Sequence, residues 1–347
     1  IPLVVTSALV IFSPLQEGGT THVAQMIIRF LILAWAGGAL ALSIRQGRLT
    51  IPLLSVRYFV LVFLGFAVIA TMFSPYAHPS RQWLFTIICY ATLFYLLVSF
   101  VDRWEHVHTL TIVVVLMGVG EAALTILQGL VWNDMRPSGT FFNPNFLAGY
   151  LAVSWAILLS AAVYGYRRTA ALHWLPISPT LWWFGVGASL GSLFLAVLLT
   201  QSRGGMIVVL VATVFIVMAR YGWKVAGSCL VLLMVGGLLI PTPLRERVQA
   251  EHQQNPVSYA RLQMWQGALT HIAEHPLGIV LGLYQYTYPR YAFPVEGEIA
   301  RYGKVAQTPH NDYLQMGIEM GVGALLLFLA GVFMVGRDFA RVFQTRL

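Results

Sequence analysis

Charge is what this sequence has least of. Only 10% of its 347 residues are charged, against about 25% in an ordinary soluble domain, while 58% are hydrophobic. That shortage excludes a water-soluble globule. The mean hydropathy of +0.74 and repeated apolar runs near span length point instead to a polytopic helical membrane protein. Those runs are continuous and lack the polar–apolar alternation of a membrane barrel, so that class is excluded too. Lysine is nearly missing: Lys224 and Lys304 are the exceptions among 21 basic residues, the other 19 being arginine. The net charge of +8 is scattered through loops with no basic patch, so no nucleic-acid partner is expected. The arginine bias favours planar, bidentate recognition of phosphate or carboxylate. Cysteine is scarce as well. Cys89 and Cys229 lie in apolar runs at different expected depths, so no disulfide is expected and both read as small core residues. Internal repeats and low-complexity tracts are absent.

What is there is a series of apolar runs. They predict an all-α chain of about ten spans, at 1–12, 23–44, 58–73, 83–101, 109–132, 146–165, 180–200, 204–220, 223–240 and 313–335, each near the length that crosses ~30 Å of hydrocarbon. Basic residues in short loops set the orientation. Arg45, Arg48, Arg57, Arg103, Arg167, Arg168, Arg220, Lys224, Arg337, Arg341 and Arg346 all fall on one side if the helices alternate, and that side is the expected cytoplasmic face. Residues 1–240 then carry nine spans with short loops, 241–312 form a long outward loop, and 313–347 hold the last span and a basic end. Loops of that length are usually functional. Within it, residues 259–273 read as an amphipathic helix, with Leu262, Trp265, Leu269 and Ile272 on one face and Arg261, Gln263, Gln266 and His271 on others. Such a helix is expected to lie along the membrane surface and cap the bundle.

The outward loops carry Arg81, Arg136, Arg203, Arg261, Arg290, Arg301 and His310, although outward loops are normally poor in basic residues. Pairing with carboxylates, or snorkelling to headgroups, accounts for Arg81, Arg245, Arg247, Arg290 and Arg301 taken singly. Arg203 resists that reading. "TQSRGG" places Ser202 and Arg203 directly before an apolar helix, where free N–H groups and an arginine together suit a phosphate. "FFNPNFLAGY" starts another helix behind Arg136, with Asn143 and Asn145 as candidate caps, and "TPHNDYLQ" starts a third behind His310. Three such helix starts on one face describe an anion site at the outer membrane boundary. Histidine side chains titrate near neutrality and can accept a proton. Beside Asn311 and Asp312, His310 reads as a candidate base in preference to a simple cap. His271 and His275 have zinc-like i, i+4 spacing but no acidic partner placed by sequence, and no metal or other cofactor is expected. Glu121 and Glu319 fall inside spans and are functional candidates by position, as proton-relay groups or arginine counter-ions. Glu319 follows His310 by nine residues, about 13 Å along a helix, which favours a supporting role.

Four segments in order, "GTFFNPNFLAGYL", "TQSRGG", "RLQMWQGALTHIAEHPLGIVLGLYQYTYPRY" and "HNDYLQMGIEMG", spanning residues 139–321, resemble the O-antigen ligase superfamily of membrane glycosyltransferases. That superfamily also holds O-antigen polymerases and protein O-oligosaccharyltransferases. The resemblance implies a GT-C-like architecture with a long periplasmic loop and about twelve spans of membrane-crossing length; with about ten read here, further terminal segments are expected. It implies an inner-membrane enzyme with its active site facing the periplasm. Its partners would be membrane lipids, an undecaprenyl-diphosphate-linked glycan as donor, and lipid A–core as acceptor. His310 would then be the catalytic base, with Arg203 and Arg261 binding the diphosphate. Arg136 extends that set by helix geometry, and Ser202, Asn145, Asn311, Asp312 and Glu319 would support it. The nearest alternatives keep the donor and change the acceptor to a protein hydroxyl or another glycan. A solute or anion transporter is more remote, because it needs inverted repeats and a polar midplane path.

Overall fold

The computed structural model describes residues 2–47, 56–165, 178–239, 260–291 and 306–344. Arg48, Arg167, Arg168, Arg245, Arg247, Arg301, Lys304 and Arg346 lie outside the described residues. Helices α1 (Pro2–Phe12), α2 (His22–Gln46), α3 (Arg57–Met72), α4 (Ala77–Phe100), α5 (Trp104–Leu130) and α6 (Pro144–Ser160) are followed by α7 (Pro179–Leu199), α8 (Arg203–Tyr221) and α9 (Trp223–Leu239). Then come α10 (Ala260–Glu274), α11 (Tyr284–Tyr291) and α12 (Asp312–Gln344). The protein is all-α, and seven of its described helices are long and apolar enough to cross a membrane, while α1, α3 and most of α9 form shorter apolar helices. Each predicted span coincides with one of these ten. Helix is the form such runs must take, because hydrocarbon offers no partner to a free backbone N–H or C=O.

The chain divides into two compact units that do not follow chain order: residues 1–39 with 97–249, and residues 40–96 with 250–347. In the first, α5, α6, α7 and α8 share a core that includes Ala122, Leu151, Trp155, Leu193 and Val209. Small residues permit the close approaches. A Cβ on Gly205 of α8 would fall on Ala148 of α6, and one on Gly118 of α5 would fall on Ser154. The Trp155 indole donates to Thr213 Oγ1 at 2.9 Å, joining α6 to α8. Three caps define helix starts: Asn143 for α6, Ser178 for α7 and Ser202 for α8, with Pro144 and Pro179 in the first turns where a missing N–H costs nothing.

The second unit is organised around α12. Gly321, at φ 85 and ψ 169, interrupts this helix. Residues 276–280 fill the break: Ile279 N–H donates to Ile318 O at 2.9 Å, Val280 N–H to Glu319 O at 2.8 Å, and Val322 N–H to Pro276 O at 2.9 Å. No side chain fits at the crossing, because a Cβ on Gly321 or on Gly278 would strike the opposing backbone. The segment is fixed from α4 as well, where Ser80 Oγ donates to Leu281 O at 2.7 Å. Met264, Ala268, Tyr284, Tyr288 and Ile318 form a core joining α10, α11 and α12. The buried face of α10 is therefore Met264, Ala268 and His271, whereas Leu262 and Leu269 are more than half exposed. Of the apolar stripe read from the sequence, Ile272 packs against this core and Trp265 is half-buried, while Leu262 and Leu269 lie outside it. Cys89 and Cys229 are free, the first buried and the second half-buried.

Candidate active site

In the first unit the candidate residues gather where α6 and α8 begin. Asn143 Oδ1 accepts from Asn145 N–H at 2.9 Å and caps α6. Ser202 Oγ accepts from Gly205 N–H at 3.3 Å and caps α8, placing Arg203 as its first residue. Arg136 ties the two starts together: its Nε donates to Thr200 O at 3.2 Å and its Nη2 to Asn145 Oδ1 at 3.0 Å. Between α7 and α8 the chain reverses through Gln201, at φ 54, whose amide donates to Met135 O at 2.6 Å. Thr200, Gln201 and Ser202 are buried and Arg203 is exposed. The turn thus presents an exposed arginine at the start of a helix, which is an arrangement able to receive an oxyanion.

The loop carrying Arg136 is held by a polar ladder on α5. Glu121 accepts from Thr140 N–H at 3.0 Å and from Thr140 Oγ1 at 2.6 Å. Two turns along, the Gln128 amide donates to Gly139 O at 2.9 Å and accepts from Gly139 N–H at 2.7 Å. Gly139 sits at φ 59, and a Cβ there would collide with the Glu121 carboxylate. Glu121 is 4% exposed and clamps a loop. Gln128 carries no sequence signal, because an amide in a span bears no charge.

In the second unit α10 and the start of α12 meet. The Trp265 indole N–H donates to Pro309 O at 3.1 Å. His310 follows, exposed and at φ 52. Asn311 then caps α12, its Oδ1 accepting from Tyr313 N–H at 3.1 Å and Leu314 N–H at 3.2 Å. Asp312 is the exposed first residue of that helix. Arg261 lies in the first turn of α10, one helical turn before Trp265, so the "R…W" and "HND" segments adjoin. Glu319 is 4% exposed. It accepts from Tyr284 N–H and from the Gln315 amide, each at 3.3 Å, and so holds the start of α11.

The same unit contains a cavity of about 780 Å³, within the range of roughly 300–1,000 Å³ common for ligand sites. Its walls come from α3, α4 and α12 and include Phe59, Phe63, Tyr90, Phe94 and Phe328; its polar groups are Asp312, Gln315 and Glu319. An apolar trough thus runs up to the loop that carries His310.

Behind that loop, His271 is 1% exposed and stacks on Tyr291 with ring centroids 3.9 Å apart. Burial, followed by the neighbouring His275, pushes its pKa down to about 4. Glu274 instead accepts from Tyr291 Oη at 2.6 Å and faces Arg290 at 3.6 Å. That pairing accounts for Arg290, as Arg81 Nε donating to Ala77 O at 3.0 Å accounts for part of Arg81. The Tyr291 hydrogen bond, more than any other contact, holds the Glu274 carboxyl below its usual range. Among the described residues no group of three His, Cys, Asp or Glu side chains is placed to hold a metal ion.

Residues 188–329 match a family model described as O-antigen ligase. That stretch contains Arg203, Arg261, His310, Asn311, Asp312 and Glu319, and leaves Arg136 and Asn145 outside it. No curated protein matches the sequence.

Proposed function

With residues 188–329 assigned to the O-antigen ligase family, we propose that the protein is an inverting, metal-independent glycosyltransferase. It moves O-antigen glycan from undecaprenyl diphosphate to a sugar hydroxyl of lipid A–core, at the periplasmic face of the inner membrane. The family supports glycan transfer by a ligase- or polymerase-type enzyme; the donor, acceptor and residue roles are our reading. The observation that carries it is that the matched stretch holds Arg203 and Arg261 in the first turns of two helices and His310 directly before the cap of a third.

In this reading the acceptor oxygen attacks the anomeric carbon of the glycan as the bond from that carbon to the diphosphate oxygen breaks. His310 takes the hydroxyl proton, and the electron pair of the broken bond leaves on undecaprenyl diphosphate. Attack from the face opposite the leaving group inverts the configuration. Negative charge grows on the departing diphosphate, where Arg203 and Arg261 stabilise it more in the transition state than in the bound donor. Arg136, engaged by Thr200 and Asn145, keeps the Arg203 turn in register and extends the same cationic group. The aromatic trough takes the hydrocarbon chain of the donor, consistent with a lipid-linked substrate reaching His310 from the bilayer.

The test uses purified protein, an undecaprenyl-diphosphate glycan and excess EDTA, with lipid A–core, a protein acceptor and a second glycan donor offered separately. Product on lipid A–core alone, with inverted linkage, is expected. Transfer only to protein or to glycan reassigns the acceptor, and no transfer to any of them overturns the glycosyltransferase reading.

A further inference from the structure

We infer that Trp265 is a positioning residue for His310, acting through the peptide group that precedes the histidine. The inference rests on the reading of His310 as the base. It starts from backbone geometry. His310 has φ 52, a left-handed conformation that a residue with a Cβ enters only when its surroundings impose it. Two anchors impose it here. On the carboxyl side, Asn311 is locked by the cap it forms on α12, two backbone N–H groups donating to one side-chain oxygen. On the amino side, the Pro309 carbonyl is held by the Trp265 indole at 3.1 Å. Pro309 is buried and cannot vary its own φ. The peptide plane entering His310 is therefore oriented by α10, and the direction of the His310 Cα–Cβ bond follows from that plane.

The arrangement has a chemical use. Arg261 and Trp265 are one turn apart on the same helix. A proposed leaving-group ligand and the group that aims the base thus share one rigid element. Trp265 has no role in the proposed chemistry itself, and its ring is half-buried. The N–H is what distinguishes tryptophan at this position.

The experiment replaces that N–H alone. Trp265→Phe and an isosteric replacement of Trp265 by benzothienylalanine, which keeps the ring shape without the donor, are assayed as full-length purified protein. The probes are the undecaprenyl-diphosphate glycan and lipid A–core. Loss of one net hydrogen bond predicts a fall in kcat of about three- to ten-fold, with the dissociation constant of the donor unchanged. Adding Trp265→Phe to His310→Ala is expected to lower the residual rate no further, because both changes act on one group. A wild-type kcat in the benzothienylalanine protein overturns the inference, as does an equal loss in the presence and absence of His310. If His310→Ala itself transfers glycan at the wild-type rate, the base assignment fails, and that result is distinct from a defect confined to Trp265.

Discussion

Glu121 and Glu319 are alike in most respects that a sequence can express. Each is a carboxylate in an apolar helix, each is 4% exposed, and each fastens a segment that carries or supports candidate site residues. They differ in what they leave of their own helix. In the first unit α5 runs unbroken from Trp104 to Leu130, and it is the side chains of Glu121 and Gln128 that reach from it to Gly139 and Thr140. In the second unit α12 gives up its own regularity: Gly321 opens the helix, and main-chain groups of residues 318–322 bind residues 276–280 directly. Glu319 then only adds to a restraint the backbone already makes. A loop held by side chains depends on a few residues that can be deleted one at a time. A loop held by backbone depends on conformation, and glycine is where it is vulnerable.

The largest test of that contrast is functional. On the proposed mechanism His310→Ala is expected to lower kcat by about a hundred-fold or more while the donor dissociation constant stays within about two-fold, since the proposed base is not a diphosphate ligand. Arg203→Ala should instead raise that constant by about ten-fold or more and lose transfer with it. Isothermal titration with donor beside a transfer assay separates the two, and the opposite pattern would exchange the roles proposed for His310 and Arg203.

Next in size are the clamps. Gly321→Ala must place a Cβ against the Leu277 backbone at positive φ, and a loss of about 2 kcal/mol or more is expected. Glu121→Ala leaves the Thr140 N–H, and Glu319→Ala the buried Tyr284 N–H, without its carboxylate acceptor, each costing about 1–3 kcal/mol, with Glu319→Ala at the low end because the backbone contacts of residues 276–280 still hold the segment before α11. Thermal unfolding in detergent gives all three. If Glu319→Ala proves the more damaging carboxylate change, the distinction between side-chain and backbone restraint does not hold.

The smallest effect concerns pH. His271 has a folded pKa of about 4, below its ordinary 6.5, so the unfolded chain binds the proton more readily. Its contribution to stability is complete above pH 6.5 and is lost as pH falls from there through 4. His271→Phe, which keeps a ring against Tyr291, should flatten that part of the stability profile; an unchanged acid limb would show that the imidazole is not strained by its burial.

The apolar runs were readable because the thickness of hydrocarbon imposes a length that few other constraints mimic. Of the two candidate caps, Asn143 was readable for a local reason, since it acts on the N–H two residues on, whereas Asn145 accepts from Arg136 instead; Ser202 and Asn311 act equally locally but were not marked as caps. Partners set far apart in the chain were not readable. Nothing near Glu121 announces that its acceptor capacity belongs to Thr140, nor does "EMGVG" say which glycine opens the helix. On α10 the sequence pattern marks Leu262, Trp265, Leu269 and Ile272, and of these Ile272 packs against the core while Leu262 and Leu269 remain exposed. Packing chose Ala268 instead, and Gly267 beside it comes so close to the Tyr291 carbonyl that a Cβ would strike it. Hydrophobic pattern locates a helix reliably, but the side turned inward is decided by shape.

The opening in α12 also bears on how the protein is made. Residues 276–280 leave the ribosome before Gly321 does, so the partners of the interrupted helix are already synthesised when it emerges. Until they dock, an open helix would expose unpaired carbonyls, and a continuous one satisfies them by itself. The interruption is therefore satisfied only where residues 276–280 meet it, so the segment before α11 and the final helix depend on one another for a complete set of backbone hydrogen bonds.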